Sequence, residues 1–432
     1  MSQTKKKRLY LGLFVQPLGH HVSGWRLTDN LNLPTDIDWL IHIAKKAESG
    51  RFDLFFVGDA LATSVHRLPS TMARLEPLTL LSALAVSTSY IGLAATASTT
   101  FSDPFTLARA FSSLDHISKG RAAWNVVTSY SQDVAQNFSL ADMPNHHQRY
   151  QRAAEFLEVT NKLWNAWQDG AVVAHQNSGQ YFVDDKINTI EHYGEFFQVK
   201  GPLNISRSPQ HKPVIIEAGS STDGQNLAAK TAEIIFTAAA TIEEGQSFYK
   251  SQKQTIAAAG RNPDQVIIMP GVMPIIGTTS KEAKDLWNKL NQLVDIENGL
   301  NQLSARFGID LKKYPLDGPL PEIPLGEGNQ SRVKLLTEMA QRDNLTIREL
   351  AAVAAGSRGH RVVIGTAKDI ADDLEYWLNH HAADGFNIMP AIIPEQLDLF
   401  VELVIPELKQ RKLLPESYEF TTLRENLGLP PL

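Results

Sequence analysis

The chain has 432 residues, 43% apolar and 20% charged, with a net charge of −6 and no cysteine. This is globular material with enough apolar residues for a large core, and it excludes disulfides, thiolate metal sites, iron–sulfur clusters and a cysteine nucleophile. The mild negative charge, without long runs of one sign, argues against a nucleic-acid-binding surface. No segment approaches the roughly 18 apolar residues of a membrane span, so a soluble, cytoplasmic protein is expected.

Lys5-Lys6-Lys7 reads as a solvated tail. The apolar run Leu9–Val15 behind it is too short for a signal peptide and breaks at Gln16-Pro17, so it is taken as a first strand. A polar loop with His20, His21 and Trp25 follows. A helix from about Asp36 to Glu48 carries Trp39, Leu40, Ile43 and Ala44 on one stripe. Strand Phe52–Val57 closes on Gly58-Asp59, helix Pro77–Ser87 leads into strand Ile91–Ser98, and a helix from Phe105 to about Ser118 runs into Lys119-Gly120.

The next stretch, Gly120-Arg-Ala-Ala-Trp-Asn-Val-Val-Thr-Ser129, is apolar in its middle and ends in Asn125, Thr128 and Ser129. It suits a ligand site at the end of a buried strand, and equally an ordinary core strand with a Ser/Thr turn. Past Ser129 the rhythm breaks. A polar loop (131–145), a helix from His146 to about Trp167 and an irregular excursion (about 168–212) come before strand Pro213–Ala218, which ends in Gly219-Ser220-Ser221.

Helix Asp223–Thr231, strand Glu233–Phe236, a helix from Gln246 to about Ala259 and strand Val266–Met269 restore the alternation. A second insertion (about 278–359) is mostly helical with a Pro/Gly-rich middle from Tyr314 to Gly328. Helix Ala367–Asn379, strand Gly385–Pro390 and a tail from Pro394 complete the chain. Roughly eight strand–helix units favour an α/β fold, a (β/α)₈ TIM barrel with insertions after strands 4 and 7, read as one domain over 1–432. No G-x-G-x-x-G follows the first strand, which disfavours a Rossmann dinucleotide site.

In such a barrel the polar residues just after strands converge on one face. Here they are Asp59, Thr96, Ser98, Asn125, Thr128, Ser129, Gly219, Ser220 and Ser221, of which only Asp59 is charged. The set lacks the acid–base pair or carboxylate cluster of a hydrolase or enolising enzyme. It suits a large planar ligand held by neutral hydrogen bonds, with a phosphate on the backbone N–H groups of Gly219-Ser220-Ser221, although Gly-Ser-Ser also caps helices that hold no ligand. His146 and Tyr150 share a helix face and either close over that ligand or pack the helix. The paired histidines 20–21, 146–147 and 380–381 lack metal-ligand spacing, so no metal is expected.

The Gly120–Ser129 stretch resembles the bacterial-luciferase-like flavin monooxygenases, in the branch of nitrilotriacetate, EDTA, dibenzothiophene-sulfone and long-chain-alkane monooxygenases. Glu76–Ser82, Ile91–Phe101, Arg149–Phe156, Lys200–Leu203, Arg207–Gln210, Asp384–Asn387 and Thr422–Arg424 carry the resemblance across nearly the whole chain. It implies a barrel that binds reduced FMN delivered by a separate NAD(P)H:flavin reductase. It also implies oxygenation of a small organic substrate with O₂ through a C4a-(hydro)peroxyflavin, in a homodimer or homotetramer. By position, Asp59 and Thr96 contact the flavin, Asn125, Thr128 and Ser129 lie against its ring, and His146, Tyr150, Gly219, Ser220 and Ser221 hold its phosphate. Catalytic roles fall on Asn125 and His20, with His21 and Trp25 near the substrate side and the Arg358-Gly-His360 segment reaching the pocket.

Three other readings remain. One is a deazaflavin-dependent reductase or dehydrogenase of the same superfamily. Another is a non-catalytic flavin-binding barrel, against which the intact strand-end residues weigh. The third is a phosphate-binding isomerase or aldolase, disfavoured by the missing lysine or carboxylate pair.

Overall fold

The computed structural model describes residues 8–29, 31–63, 72–219, 221–323, 330–357 and 359–432, and in it the strand–helix rhythm closes on itself. Strands β1 (Tyr10–Val15), β2 (Leu54–Val57), β3 (Gly92–Ser98) and β4 (Ala122–Val127) pair in parallel in chain order. The excursion after β4 carries two antiparallel pairs, β5 (Val172–His175) with β6 (Gln180–Phe182) and β7 (His192–Tyr193) with β8 (Gln198–Val199). β9 (Val214–Glu217) then pairs with β4, β10 (Ile234–Thr237) with β9, and β11 (Ile267–Ile276) with β10. β12 (Arg361–Gly365) lies outside the ring on the second half of β11, and β13 (Gly385–Ile388) joins β11 to β1, closing a parallel barrel.

Alternate strand residues divide between two apolar layers, which is why the strands read as continuous apolar runs. Leu54, Phe56, Ala94, Ala123, Val214, Ile216, Ile234 and Ile267 fill the barrel interior. Leu93, Ala95, Trp124, Val126 and Ile215 face the surrounding helices. Asn125 follows the parity of Ala123, and Thr96 that of Ala94, so both belong to the interior at its carboxyl-terminal end.

Helices α1 (Ile37–Ser49), α2 (Pro77–Ala85) and α3 (Pro104–Ser118) begin where Asp36, Glu76 and Asp103 accept hydrogen bonds from first-turn N–H groups. Pro77 and Pro104 sit in the first turn, where a missing donor costs nothing. α3 stops because Lys119 and Gly120 turn left-handed, at φ 57° and 90°, and aim the chain into β4. Arg121, the cation of the opening motif, is structural. It is 2% exposed and donates to the carbonyls of Ser118, Ile91, Ala85 and Thr88, stapling the end of α2 to β4.

The structure departs from the sequence reading in several places. The polar loop after Ser129 contains a helical turn, α4 (Gln132–Asn137), held by burial of Val134 and Ala135. α5 (His146–Asn165) starts on a capping box between Asn145 and Gln148. After α6 (Thr222–Thr231), α7 (Ile242–Ala258) begins ahead of Gln246 because Thr241 caps it. β11 continues past Met269 through Pro270 and Pro274; these lack donors and read as breaks, but their fixed φ is compatible with a strand whose ten residues are all buried.

β12 has no counterpart in the sequence reading, since its pairing with β11 is non-local. Within the second insertion, α8 (Ser280–Gln292), α9 (Ile296–Phe307), α10 (Gln330–Arg342) and α11 (Ile347–Ser357) precede β12. Leu300, Leu303, Phe307, Leu336 and Leu350 give it a small core of its own. The Pro/Gly-rich stretch 314–328 lies partly outside the described residues. α12 (Ala367–Asn379) packs on β12. Among the described residues no helix is long and apolar enough to cross a membrane.

Candidate active site

At the carboxyl ends of β3 and β4 a short relay fixes one amide. Thr96 donates its hydroxyl proton to the Val57 carbonyl at 2.8 Å, so its oxygen must accept, and Asn125 Nδ2 donates to it at 2.9 Å. The amide orientation follows from that network, and Asn125 Oδ1 is left buried without a partner, on a residue 4% exposed. An unmet buried acceptor costs about 1–3 kcal/mol, and a ligand N–H would recover it. Two residues past β4, Ser129 sits at φ 40° and donates to Ser98 Oγ at 2.9 Å. A non-glycine residue held in that region is the kind of local strain that functional sites retain.

Across the barrel mouth, β9 runs through Gly219 to α6. Ser221 caps α6 by accepting from Gly224 N at 3.2 Å. A Cβ on Gly219 would meet Gly224 Cα at 2.8 Å, and one on Gly224 would meet Gly219 Cα at 2.9 Å and the Tyr150 hydroxyl at 3.0 Å. The two backbones therefore touch at the start of α6. His146 rests on Tyr150 with ring centroids 4.8 Å apart, one helical turn along α5, and its Nδ1 lies 3.2 Å from Asp223 Oδ2.

Between these two constructions lies a cavity of about 490 Å³, lined by Asp59, Thr128, Ser129, His146, Tyr150, Gly219 and Ser221 among others. The sequence reading had placed all seven at the site. Thr96 and Asn125 lie in the strand layer behind that lining, and Ser220 and Arg358 fall outside the described residues. Asp59 accepts from Ala60 N at 2.8 Å, and burial raises its carboxyl above the usual range.

The cavity lining does not include His20. It is 0% exposed, its Nε2 lies 2.7 Å from the Phe14 carbonyl, and its ring packs on Phe14 at 4.9 Å. His21 is buried beside Trp287, and burial lowers its pKa to about 4, so it is neutral. Trp25 is exposed on the loop after β1. His360 does reach the cavity, lying parallel to Phe236 at 5.7 Å, and Phe236 in turn packs on Phe14 and Phe56. The sequence reading missed Phe236, Tyr130 and Leu335 as lining residues. Phe236 carried the one usable signal, since it stands at the end of a barrel strand.

Residues 18–380 match the family described as luciferase-like monooxygenase. The chain belongs to that family. This luciferase-like monooxygenase is 48% identical over 433 residues to N-acetyl-S-(2-succino)cysteine monooxygenase of Bacillus subtilis (strain 168), covering 99% of this chain and 98% of the relative. It is 44% identical to nitrilotriacetate monooxygenase component A of Aminobacter aminovorans, covering 98% and 97% of the two chains. Its fold matches that of a riboflavin lyase solved with modified FMN and riboflavin, with a TM-score of 0.88, 30% identity, and 98% and 97% of the chains covered.

The luciferase-like barrel also holds a buried acid that the sequence reading passed over. Glu217, the last residue of β9, is 4% exposed and accepts from the Thr231 hydroxyl of α6. Burial pushes its carboxyl from 4.5 up to about 8, so it is mostly protonated at neutral pH. Because the folded value lies above the unfolded one, the stability tied to this proton is complete below 4.5 and is lost as pH rises to about 8. Glu217→Gln keeps the shape without the titration. Its stability advantage over wild type should grow from about pH 5 to about pH 8 and then level off. Urea unfolding across that range measures it, and a pH-independent difference would reject the assignment.

Proposed function

We propose that the protein is the oxygenase of a two-component system. It takes reduced FMN from a separate NAD(P)H:flavin reductase and uses O₂ to oxygenate a small organic substrate. The observation that carries this reading is the orphaned Asn125 carbonyl beside a cavity whose far side is a glycine-lined helix start. One end offers an acceptor to a ring N–H, and the other offers backbone N–H groups to a phosphate. The name "component A" of the nitrilotriacetate relative and the FMN in the riboflavin lyase structure support it. The two curated relatives are named for compounds bearing several carboxylates, and a carboxylate-bearing substrate is part of the proposal.

When bound, reduced FMN supplies the electrons that activate O₂. The chain's own residues bind and shield. Asn125, tied through Thr96 to β2, accepts a hydrogen bond from the flavin ring, while Thr128 and Ser129 offer hydroxyls beside it. Gly219, Ser220, Ser221, His146 and Tyr150 hold the phosphate, and Asp59 borders the flavin. Phe236 and the buried aromatic residues behind it keep the interior dry, which limits loss of oxygen as peroxide. His20, shut behind Phe14, acts by positioning that aromatic group.

Such a protein has no use for NADH by itself. Purified enzyme mixed with NADH, FMN and O₂ should consume NADH at the background rate until a flavin reductase is added. Brisk NADH oxidation without the reductase would overturn the two-component reading.

A further inference from the structure

Among the described residues, the two insertions (168–212 and 278–359) contribute one side chain to the lining of the cavity. It is Leu335, on α10 of the second insertion. The remaining lining belongs to barrel strands, the turns and helices that follow them, and His360 ahead of β12.

Helical spacing explains why Leu335 points there. Leu336 and Ala340 are buried in the insertion's own core, and Val333 packs against it. Leu335, Met339 and Arg342 follow a second stripe, at i, i+4 and i+7. Met339 is buried but lies outside that core, and Arg342 reaches Glu244 of α7 at 3.2 Å. Glu244 is itself fixed, since its other oxygen accepts from Ala240 N at 2.8 Å. Ala240 comes shortly after β10, whose Phe236 and Thr237 line the cavity. The stripe therefore faces the barrel mouth. Arg342 marks one end of it, and Leu335 lies about two turns away, over the cavity.

Asn125 and the Gly219 turn belong to the barrel layers given above to the flavin ring and phosphate. Leu335 enters from outside those layers and brings neither a charge nor a hydrogen-bonding group. It can select only by shape and apolar contact, where one methylene more or less changes specificity roughly 10–200-fold.

We propose that Leu335 is a specificity-determining residue, which packs against an aliphatic arm of the substrate at the cavity mouth and sets the length of arm that fits. This rests on the oxygenase reading above and adds the apolar half of a substrate whose other half carries carboxylates. The insertion then sets substrate choice while the barrel ends hold the cofactor, as expected where specificity is built on variable segments over a common scaffold.

The test uses the full chain and a series of S-alkyl-2-thiosuccinates, whose arm grows from methyl to hexyl while the carboxylates and the thioether stay fixed. The chain has no cysteine, so Leu335→Cys supplies a single thiol that reports on its own surroundings. Iodoacetamide should alkylate that thiol in the free chain and with FMN bound. The hexyl probe should slow the reaction at least about tenfold, and the methyl probe much less. In turnover with reduced FMN and O₂, Leu335→Ala should favour longer arms and Leu335→Phe shorter ones. The ratio of kcat/KM for the hexyl and methyl probes should move at least about tenfold from wild type, in opposite directions. The affinity for reduced FMN, which also reports folding, should match wild type in each variant.

A thiol closed to the reagent in the free chain, its protection by FMN alone, or one unchanged ratio in all proteins overturns the assignment and leaves the oxygenase reading in place. If wild type binds reduced FMN yet oxygenates no member of the series, the substrate class is wrong and the assignment falls with it. Failure of wild type to bind reduced FMN would instead overturn the oxygenase reading.

Discussion

Asn125→Ala should leave the barrel folded and cut the yield of oxygenated product per reduced flavin by on the order of 10²-fold, the scale seen when one preorganised hydrogen bond in a reacting site is removed. Two opposing terms keep the fold intact. Deleting the amide leaves Thr96 Oγ1 without the donor it now accepts from at 2.9 Å. It also removes the buried Oδ1 that has no partner, relieving a penalty of about 1–3 kcal/mol. The two are of similar size, so the unfolding midpoint should move little while chemistry suffers. O₂ reduced by the flavin should then be released as hydrogen peroxide in place of oxygenated product, and both are quantified in a single turnover. Unchanged product yield would remove Asn125 from the site.

Gly224→Ala is expected to weaken reduced-FMN binding by on the order of 10–100-fold. In a helix, alanine is favoured over glycine by about 1 kcal/mol, and Gly224 lies in the first turn of α6 with no positive φ to excuse it. The excuse is close approach. An added methyl would come within 2.9 Å of Gly219 Cα and 3.0 Å of the Tyr150 hydroxyl, and the nearer of these is backbone, which shifts at greater cost than a side-chain tip. The turn from β9 to α6 must open, moving the N–H groups offered to the phosphate. A fluorescence titration with FMN gives the affinity, and thermal melts check the fold. If alanine leaves binding intact, or tightens it as helix propensity alone demands, the cradle has been misassigned.

Much of the site was legible in the chain because it follows from local rules. Polar residues after barrel strands share one face whatever the details of packing, so the order of residues alone brings Asp59, Thr128, Ser129, Gly219 and Ser221 together. His146 and Tyr150 needed only helical spacing. His20 shows where local rules stop. The family resemblance gave it a catalytic role, yet the loop folds it behind Phe14, and nothing local encodes that burial.

By itself the sequence determined the order of the eight barrel strands, most of the helix starts between them and which strand ends are polar. Those features depend on apolar runs buried on both faces and on side chains reaching N–H groups two or three residues away. The tertiary structure decided the rest. The direction of the Asn125 amide is set by Thr96 and Val57 from two neighbouring strands. The protonated state of Glu217 comes from helix α6 closing over β9. The strand β12 exists because the far half of β11 is there to pair with it. Leu335 reaches the cavity only because an insertion with its own small core is held near the barrel mouth. Each of these is a relation between residues far apart in the chain, and desolvation and hydrogen-bond geometry take their values only once such residues meet.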